Sequence, residues 1–505
     1  MNTLFAGALP LALFQWSATL AGFVLYLAVI FVVGLLTYKY NKTISDYVLA
    51  GRRLGIWVVT FSERASGESA WLLLGLPAAL YANGLIDIWV SIGCTTGILI
   101  SWMVVAKPLR LQSEAYGAIT LPQFFSNRFN DTSHVIRYLA TVIIVVFFTF
   151  YVAAQFIGAG KVLNVTFGIQ PFNGMLLGAG IILFYTVMGG FMAVAWTDFV
   201  QAILMIGTLV ILPIALLIEL GGFEQVSSFV ASADPSFGSL TGGKTGIAAV
   251  LSVTSGLAWG LGYMAQPHLI TRFMAIKDPD ELRKGALIGI SWAVVAFWGA
   301  MFIGLFGAAY LVGQTLSDPE QIMPFLANRL LPGWLAGILI SGAIAAMMST
   351  ADSQLLVATS AVSEDVYHGS IKPDASERSL VSISRITTLV VGVVAFCIAW
   401  YAQVTGKDFV FKIVGFAWSG LGSAFGPALL FTLWWKKTTR AGVLAGMLTG
   451  SLVTIIWRNI PYLKSGLAGV GLFEIVPAFV LATVAVWLVS HLTVDSNQQS
   501  VPSQT

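Results

Sequence analysis

The stretch SERASGESAWLLLGLP, residues 62–77, places Glu63, Arg64 and Glu68 inside a run that is otherwise apolar. It also carries Gly67, Gly75 and Pro77, which weaken a helix from within. The chain around it is 505 residues long, 57% hydrophobic and only 10% charged. A soluble domain carries roughly 25% charged residues. Apolar runs of about 18 residues or more recur along the length, each able to cross roughly 30 Å of hydrocarbon. The chain therefore reads as an all-α polytopic membrane protein. A membrane barrel would need segments of about ten residues with alternating polarity, and the sequence has no such pattern.

Thirteen spans are expected, near residues 16–37, 55–81, 86–106, 138–164, 172–193, 197–219, 246–270, 286–314, 333–360, 386–403, 409–435, 441–457 and 468–491. Residues 1–491 form one transmembrane domain in this reading, and 492–505 a disordered cytoplasmic tail. Lys and Arg favour cytoplasmic loops. Here they cluster within 39–53, 107–137, 272–284, 372–385 and 436–440 and are sparse in the loops between. That bias predicts the N-terminus outside and the C-terminus in the cytoplasm. No charge precedes Lys39, so the first span lacks the basic region of a signal peptide and is expected to stay.

The net charge of +3 is spread over several loops and offers no surface for nucleic acid. Cys94 and Cys397 lie in apolar runs and read as packing residues rather than a disulfide or metal pair. The sequence holds no nucleotide-binding loop and no catalytic triad. It is read as neither an enzyme nor an ATP-driven pump, and it implies the bilayer, not an obligatory protein, as its partner.

Two spans look interrupted. One holds the charged cluster above; the other reads SGLAWGLGYMAQP, residues 255–267. Five spans run from 55 to 219 and five more from 246 to 435, and each set begins with an interrupted span. An odd number of spans per set gives the sets opposite orientations in the membrane. This is the pattern of an inverted-repeat secondary transporter, whose broken helices free backbone groups near the midplane for substrate and ions. Close helix packing is the other use of such glycines.

The segments SAWLLLGLP (69–77), GGFMAVAWTDFVQA (189–202), WGLGYMAQPHLITRFMA (259–275), AAMMSTADSQLLVATSAVSEDVY (345–367) and GLFEIVPAF (471–479) resemble the sodium/solute symporter family, and within it the bacterial sodium/proline symporters. The resemblance implies a leucine-transporter-type core of five plus five inverted helices, in a bacterial cytoplasmic membrane. It implies a sodium site formed by backbone carbonyls of Ala65, Glu68 and Ala346 and hydroxyls of Ser349 and Thr350. Asp198 matches an acid linked to sodium, and Asp352 stands where some members place a serine ligand for a second sodium. Substrate residues carry over to Ser69, Trp71, Tyr151, Trp259, Tyr263 and Gln354. The residues themselves fit: Ala346, Ser349, Thr350 and Ser353 share one helix face, and aromatic faces suit a cationic nitrogen. Ser and Thr could instead bond back to their own helix, and Asp198 could cap a helix at the interface.

The sequence departs from those relatives at one place. They typically read Asp where Gly67 stands and Met where Glu68 stands, and a small pair where this chain has Glu63 and Arg64. Arg64 and Glu68, at i and i+4, can pair structurally, or Glu68 and Asp352 can replace the missing acid in cation coupling. The reading is thus a symporter coupling sodium to a small amino acid, with L-proline foremost and protons as a competing or alternative coupling ion. Another zwitterion, a monocarboxylate, an uncoupled facilitator and a membrane sensor are the alternatives.

Overall fold

The computed structural model describes residues 3–38, 44–460, 463 and 471–494. Among them the regular elements are helices, and an isolated bridge pairs Leu54 with Ile276. Hydrocarbon offers the backbone no partners, so each crossing segment bonds to itself as a helix. Large apolar side chains such as Ile218, Leu287 and Leu492 stay exposed on the outer surface.

Ten helices among the described residues are long and apolar enough to cross a membrane, eleven with one bent pair taken as a span. That tally keeps Ile56–Ala115 as one run and sets Pro171–Val187 aside as short. The expected thirteen divides the run at Gly84–Asp87 and counts the short helix.

The site depends on seven helices: α1 (Thr3–Tyr38), α2 (Ile56–Ala70), α3 (Leu76–Asn83), α4 (Val135–Phe167), α5 (Phe191–Leu220), α6 (Pro267–Ala275) and α7 (Gly333–Ser360). The first interrupted span is α2 followed by α3. Its break falls at Ser69, whose φ of 52° lies in the left-handed region. That conformation costs a non-glycine residue about 1–3 kcal/mol and persists only where neighbours hold it. A π-turn over Trp71–Gly75 follows, just ahead of Pro77, which has no N–H to give.

The second interrupted span runs from Gly246 to Gly262 and, after a 40° bend, continues as α6. Here the break falls at 263–266, before Pro267. The glycines ahead of it serve packing. A Cβ on Gly260 would strike the backbone of Gly93, and one on Gly262 the ring of Trp418.

The two interrupted spans run in opposite directions. The start of α2 meets the end of α6, where Leu54 donates to the Ala275 carbonyl at 3.4 Å and Lys277 donates to the Leu54 carbonyl at 2.9 Å. Arg52 adds bonds to the carbonyls of Met274 and Ala118, each at 2.6 Å. At the opposite end, Asn83, Asp87, Lys244 and Arg458 border a cavity of about 760 Å³, with Trp259 and Phe411 also lining it. One end of the bundle is therefore tied shut and the other open.

Candidate functional site

The break in α2 lies against α7. The Ser349 hydroxyl donates to the Ala65 carbonyl at 3.0 Å and is also 3.2 Å from the Ala346 carbonyl of its own helix. The Thr350 hydroxyl donates at 3.0 Å to the carbonyl of Ser66. Four of the five residues expected at the sodium site, Ala65, Ala346, Ser349 and Thr350, thus come together, and the Ser66 carbonyl, which the sequence did not suggest, joins them. The fifth residue, Glu68, uses its carbonyl to accept the N–H of Trp71 across the break. Neutral hydroxyl and carbonyl oxygens around one point suit a hard monovalent cation. The Ser349 hydroxyl lies within reach of both acceptors, the carbonyl of its own helix that was the alternative and the carbonyl across the break.

Asp198 is not an interfacial cap. The helix begins at Phe191, after the extended Gly190, so Asp198 lies two turns in and is fully buried. One of its oxygens accepts from Ser62 at 2.7 Å, Ser66 at 3.0 Å and Arg272 at 3.1 Å. Arg272 belongs to the last turn of α6 and is itself fully buried. Its guanidinium also donates to Ser62, Ser353 and the His268 carbonyl. Counting Arg272 with the loop charges was therefore wrong, because the bend at 263–266 carries it inward. The signal was present: it is the one cation inside the apolar segment PHLITRFMA.

Asp352 is fully buried beside this pair. One of its oxygens accepts from Ser353 at 3.2 Å. Its other oxygen, the second oxygen of Asp198 and the amide oxygen of Gln201 are buried and have no partner among the described residues. Gln201 donates to Tyr26 of α1 at 3.0 Å, so a helix outside the proposed repeats closes this side.

The opening cluster is a buried ion network. Arg64 is clasped by Glu63, through Nε at 2.6 Å and through Nη2, and reaches Glu68 at 2.9 Å. Trp102 donates to Glu63 at 3.1 Å, and Tyr263 donates to Glu68 at 3.1 Å. The i, i+4 pair expected from sequence is present.

Aromatic rings close the site on its open side. Trp71 stacks on Trp259 with centroids 4.7 Å apart, and Trp259 stacks on Phe473 at 4.8 Å. Tyr263 meets Trp418 edge-on at 4.6 Å. Tyr151, on α4, is buried 6.5 Å from the Trp418 ring. Ser69 uses its hydroxyl to accept the Trp71 N–H at 3.1 Å, and Gln155 holds the Ala70 N–H at 2.9 Å. The Trp71 indole N–H and both amide atoms of Gln354 are buried with no partner among the described residues. Phe411, Trp418 and Phe473 escaped the sequence reading because a lone aromatic in an apolar run signals only packing.

The sequence profile of the sodium:solute symporter family matches residues 47–450. The chain belongs to that family. It is 38% identical to a sodium/proline symporter of Haemophilus influenzae, over 95% of this chain and 96% of that one. It is 39% identical to the high-affinity proline transporter PutP of Bacillus subtilis, over 94% of this chain and 97% of that one. Among solved structures it resembles a substrate-bound, outward-open Na+-coupled sialic acid symporter, with a TM-score of 0.78 at 18% identity, covering 96% of this chain and 99% of that one. It also resembles MhsT in complex with L-phenylalanine, with a TM-score of 0.55 at 15% identity, covering 87% of this chain and 98% of that one. The fold is thus of the leucine-transporter type, and the symporter is a multi-pass membrane protein rather than an enzyme.

Proposed function

We propose that this symporter couples sodium entry to the uptake of L-proline across a bacterial cytoplasmic membrane by alternating access. The observation that carries the reading is the meeting of Ser349 and Thr350 with the carbonyls of Ala65 and Ser66 at the helix break. Ala65, Ala346, Ser349 and Thr350 hold the sodium ion, with the Glu68 carbonyl turning toward it when bound, and Asp198 and Asp352 lie on its far side. The near-full-length similarity to two proline transporters supports the substrate.

Ser69, Trp71, Tyr151, Trp259, Tyr263 and Gln354 enclose the substrate in this reading. The Trp71 indole N–H, buried and without a partner among the described residues, is suited to its carboxylate. The repeats are 55–219 and 246–435. The latched end around Arg52 and Lys277 faces the cytoplasm and the 760 Å³ cavity faces outside, since the latched end carries the basic loops. The N-terminus is then outside and the C-terminus inside.

The test is uptake of labelled L-proline into proteoliposomes under separately imposed sodium and proton gradients. Accumulation driven by an inward sodium gradient supports the reading. Accumulation driven by protons alone, or equilibration without accumulation, overturns it.

A further inference from the structure

The network Glu63–Arg64–Glu68 holds two carboxylates and one guanidinium, all with relative exposure of 1% or less. Glu63 grips Arg64 through both of its oxygens and is further held by Trp102. Arg64 is thereby neutralised before Glu68 is counted. Glu68 brings a second negative charge, met by a third guanidinium nitrogen at 2.9 Å and by the Tyr263 hydroxyl at 3.1 Å. With both carboxylates ionised, one negative charge is left over inside the bundle. An ionised group at this depth is costly unless a cation meets it or water reaches it.

A proton would neutralise Glu68 itself; two other cations are available to meet its charge, the coupling sodium ion and a charged nitrogen on the cargo. Position decides between them. The oxygens that suit sodium are backbone carbonyls and hydroxyls on the face of α2 that meets α7. The Glu68 side chain leaves that face. It reaches Tyr263, in the break of the other interrupted span. Its neighbours there are aromatic: Tyr263 lies against Trp418, and the Trp71–Trp259 stack begins three residues on along the chain. The Trp71 indole N–H, buried and without a partner among the described residues, follows the break at Ser69 and supplies a donor of opposite sense.

We propose that the Glu68 carboxylate is the counter-charge for the cationic nitrogen of the cargo, and that it restricts transport to small molecules carrying such a nitrogen. The inference rests on the reading above that the cargo enters between the two breaks, and it narrows the cargo to zwitterions or cations. Monocarboxylates without an amine are excluded by the charge they would leave unmet.

The test compares L-proline with cyclopentanecarboxylate, which has the same ring and carboxylate but no amine. Binding of each to the purified full-length protein is titrated in saturating sodium, for the wild type, Glu68→Gln and Glu68→Asp. Losing a charge-assisted hydrogen bond predicts that Glu68→Gln binds proline about tenfold or more weakly, while cyclopentanecarboxylate binds it as well as or better than the wild type. Glu68→Asp recovers part of the preference. The sodium-induced rise in melting temperature, measured on each variant, shows that it is folded. Equal weakening of both ligands, or an unchanged preference in Glu68→Gln, overturns the inference. A wild type that binds the amine-free acid in preference to proline also overturns it, while leaving sodium symport standing. A wild type that binds neither overturns the proline reading, and the inference falls with it.

Discussion

Replacing Arg272 by Gln removes the guanidinium that pairs with Asp198. Among the described residues the Asp198 carboxylate then keeps the hydroxyls of Ser62 and Ser66, at 2.7 and 3.0 Å. Breaking a buried pair from one side costs about 3–5 kcal/mol, because it strands a charge. Asp198→Asn should cost less, since Arg272 keeps Ser62, Ser66, Ser353 and the His268 carbonyl. In the double variant neither charge remains, so the loss should fall short of the sum by about 0.5–3 kcal/mol. Stepwise SDS titration of the detergent-solubilised protein, without sodium, measures each value. An Arg272→Gln cost below about 1 kcal/mol, or strict additivity of the two changes, would refute the reasoning, because the charges would then be solvated or unpaired.

Ser349→Ala and Thr350→Ala each remove one oxygen from the proposed sodium site, and each should raise the sodium concentration for half-maximal uptake by about tenfold, the size of one hydrogen-bond-scale contact; unaltered sodium dependence in both would move the site elsewhere. Asp352→Asn should weaken sodium stimulation yet raise stability in sodium-free buffer, since it removes a buried acid that has no ion pair among the described residues; uptake assays and thermal melts that show neither change would make the acid a bystander. At the opposite end from the latch, Lys161 bridges Glu320 at 2.7 Å and Asp318 at 2.8 Å, while Glu320 accepts the N–H groups of Val410 and Phe411 at 3.0 Å. Burial pushes the Glu320 carboxyl above its ordinary range, with Lys161 pulling the other way. A carboxyl raised on folding favours the folded state at low pH and loses that contribution as pH rises through its folded value. Melts across about pH 4 to 8 should therefore show a declining component that Glu320→Gln abolishes; an identical slope in the variant would count against it.

The membrane class, the helical content and the two interrupted spans were legible in the sequence because each is a local property. Hydrophobic run length sets a crossing helix, and Gly67, Pro77 and Pro267 weaken helices wherever they stand. The face shared by Ala346, Ser349 and Thr350 follows from helical periodicity alone. What the tertiary structure decided is which polar group meets which. Whether Glu68 pairs with Arg64 was open along the chain, because i, i+4 spacing permits contact without requiring it. Packing of Trp102 and Tyr263 around the carboxylates fixes the outcome. The Ser66 carbonyl is there to meet Thr350 because the N–H four residues on, that of Ala70, donates to Gln155 beside the break. Arg272 was misplaced among the loop charges because hydropathy cannot distinguish a cation at a helix end from one carried inward by a bend. Its partner, Asp198, lies 74 residues away in sequence. Only the packed bundle brings the two together, since a buried charge is tolerated where an opposite charge waits, and sequence distance says nothing about where that is.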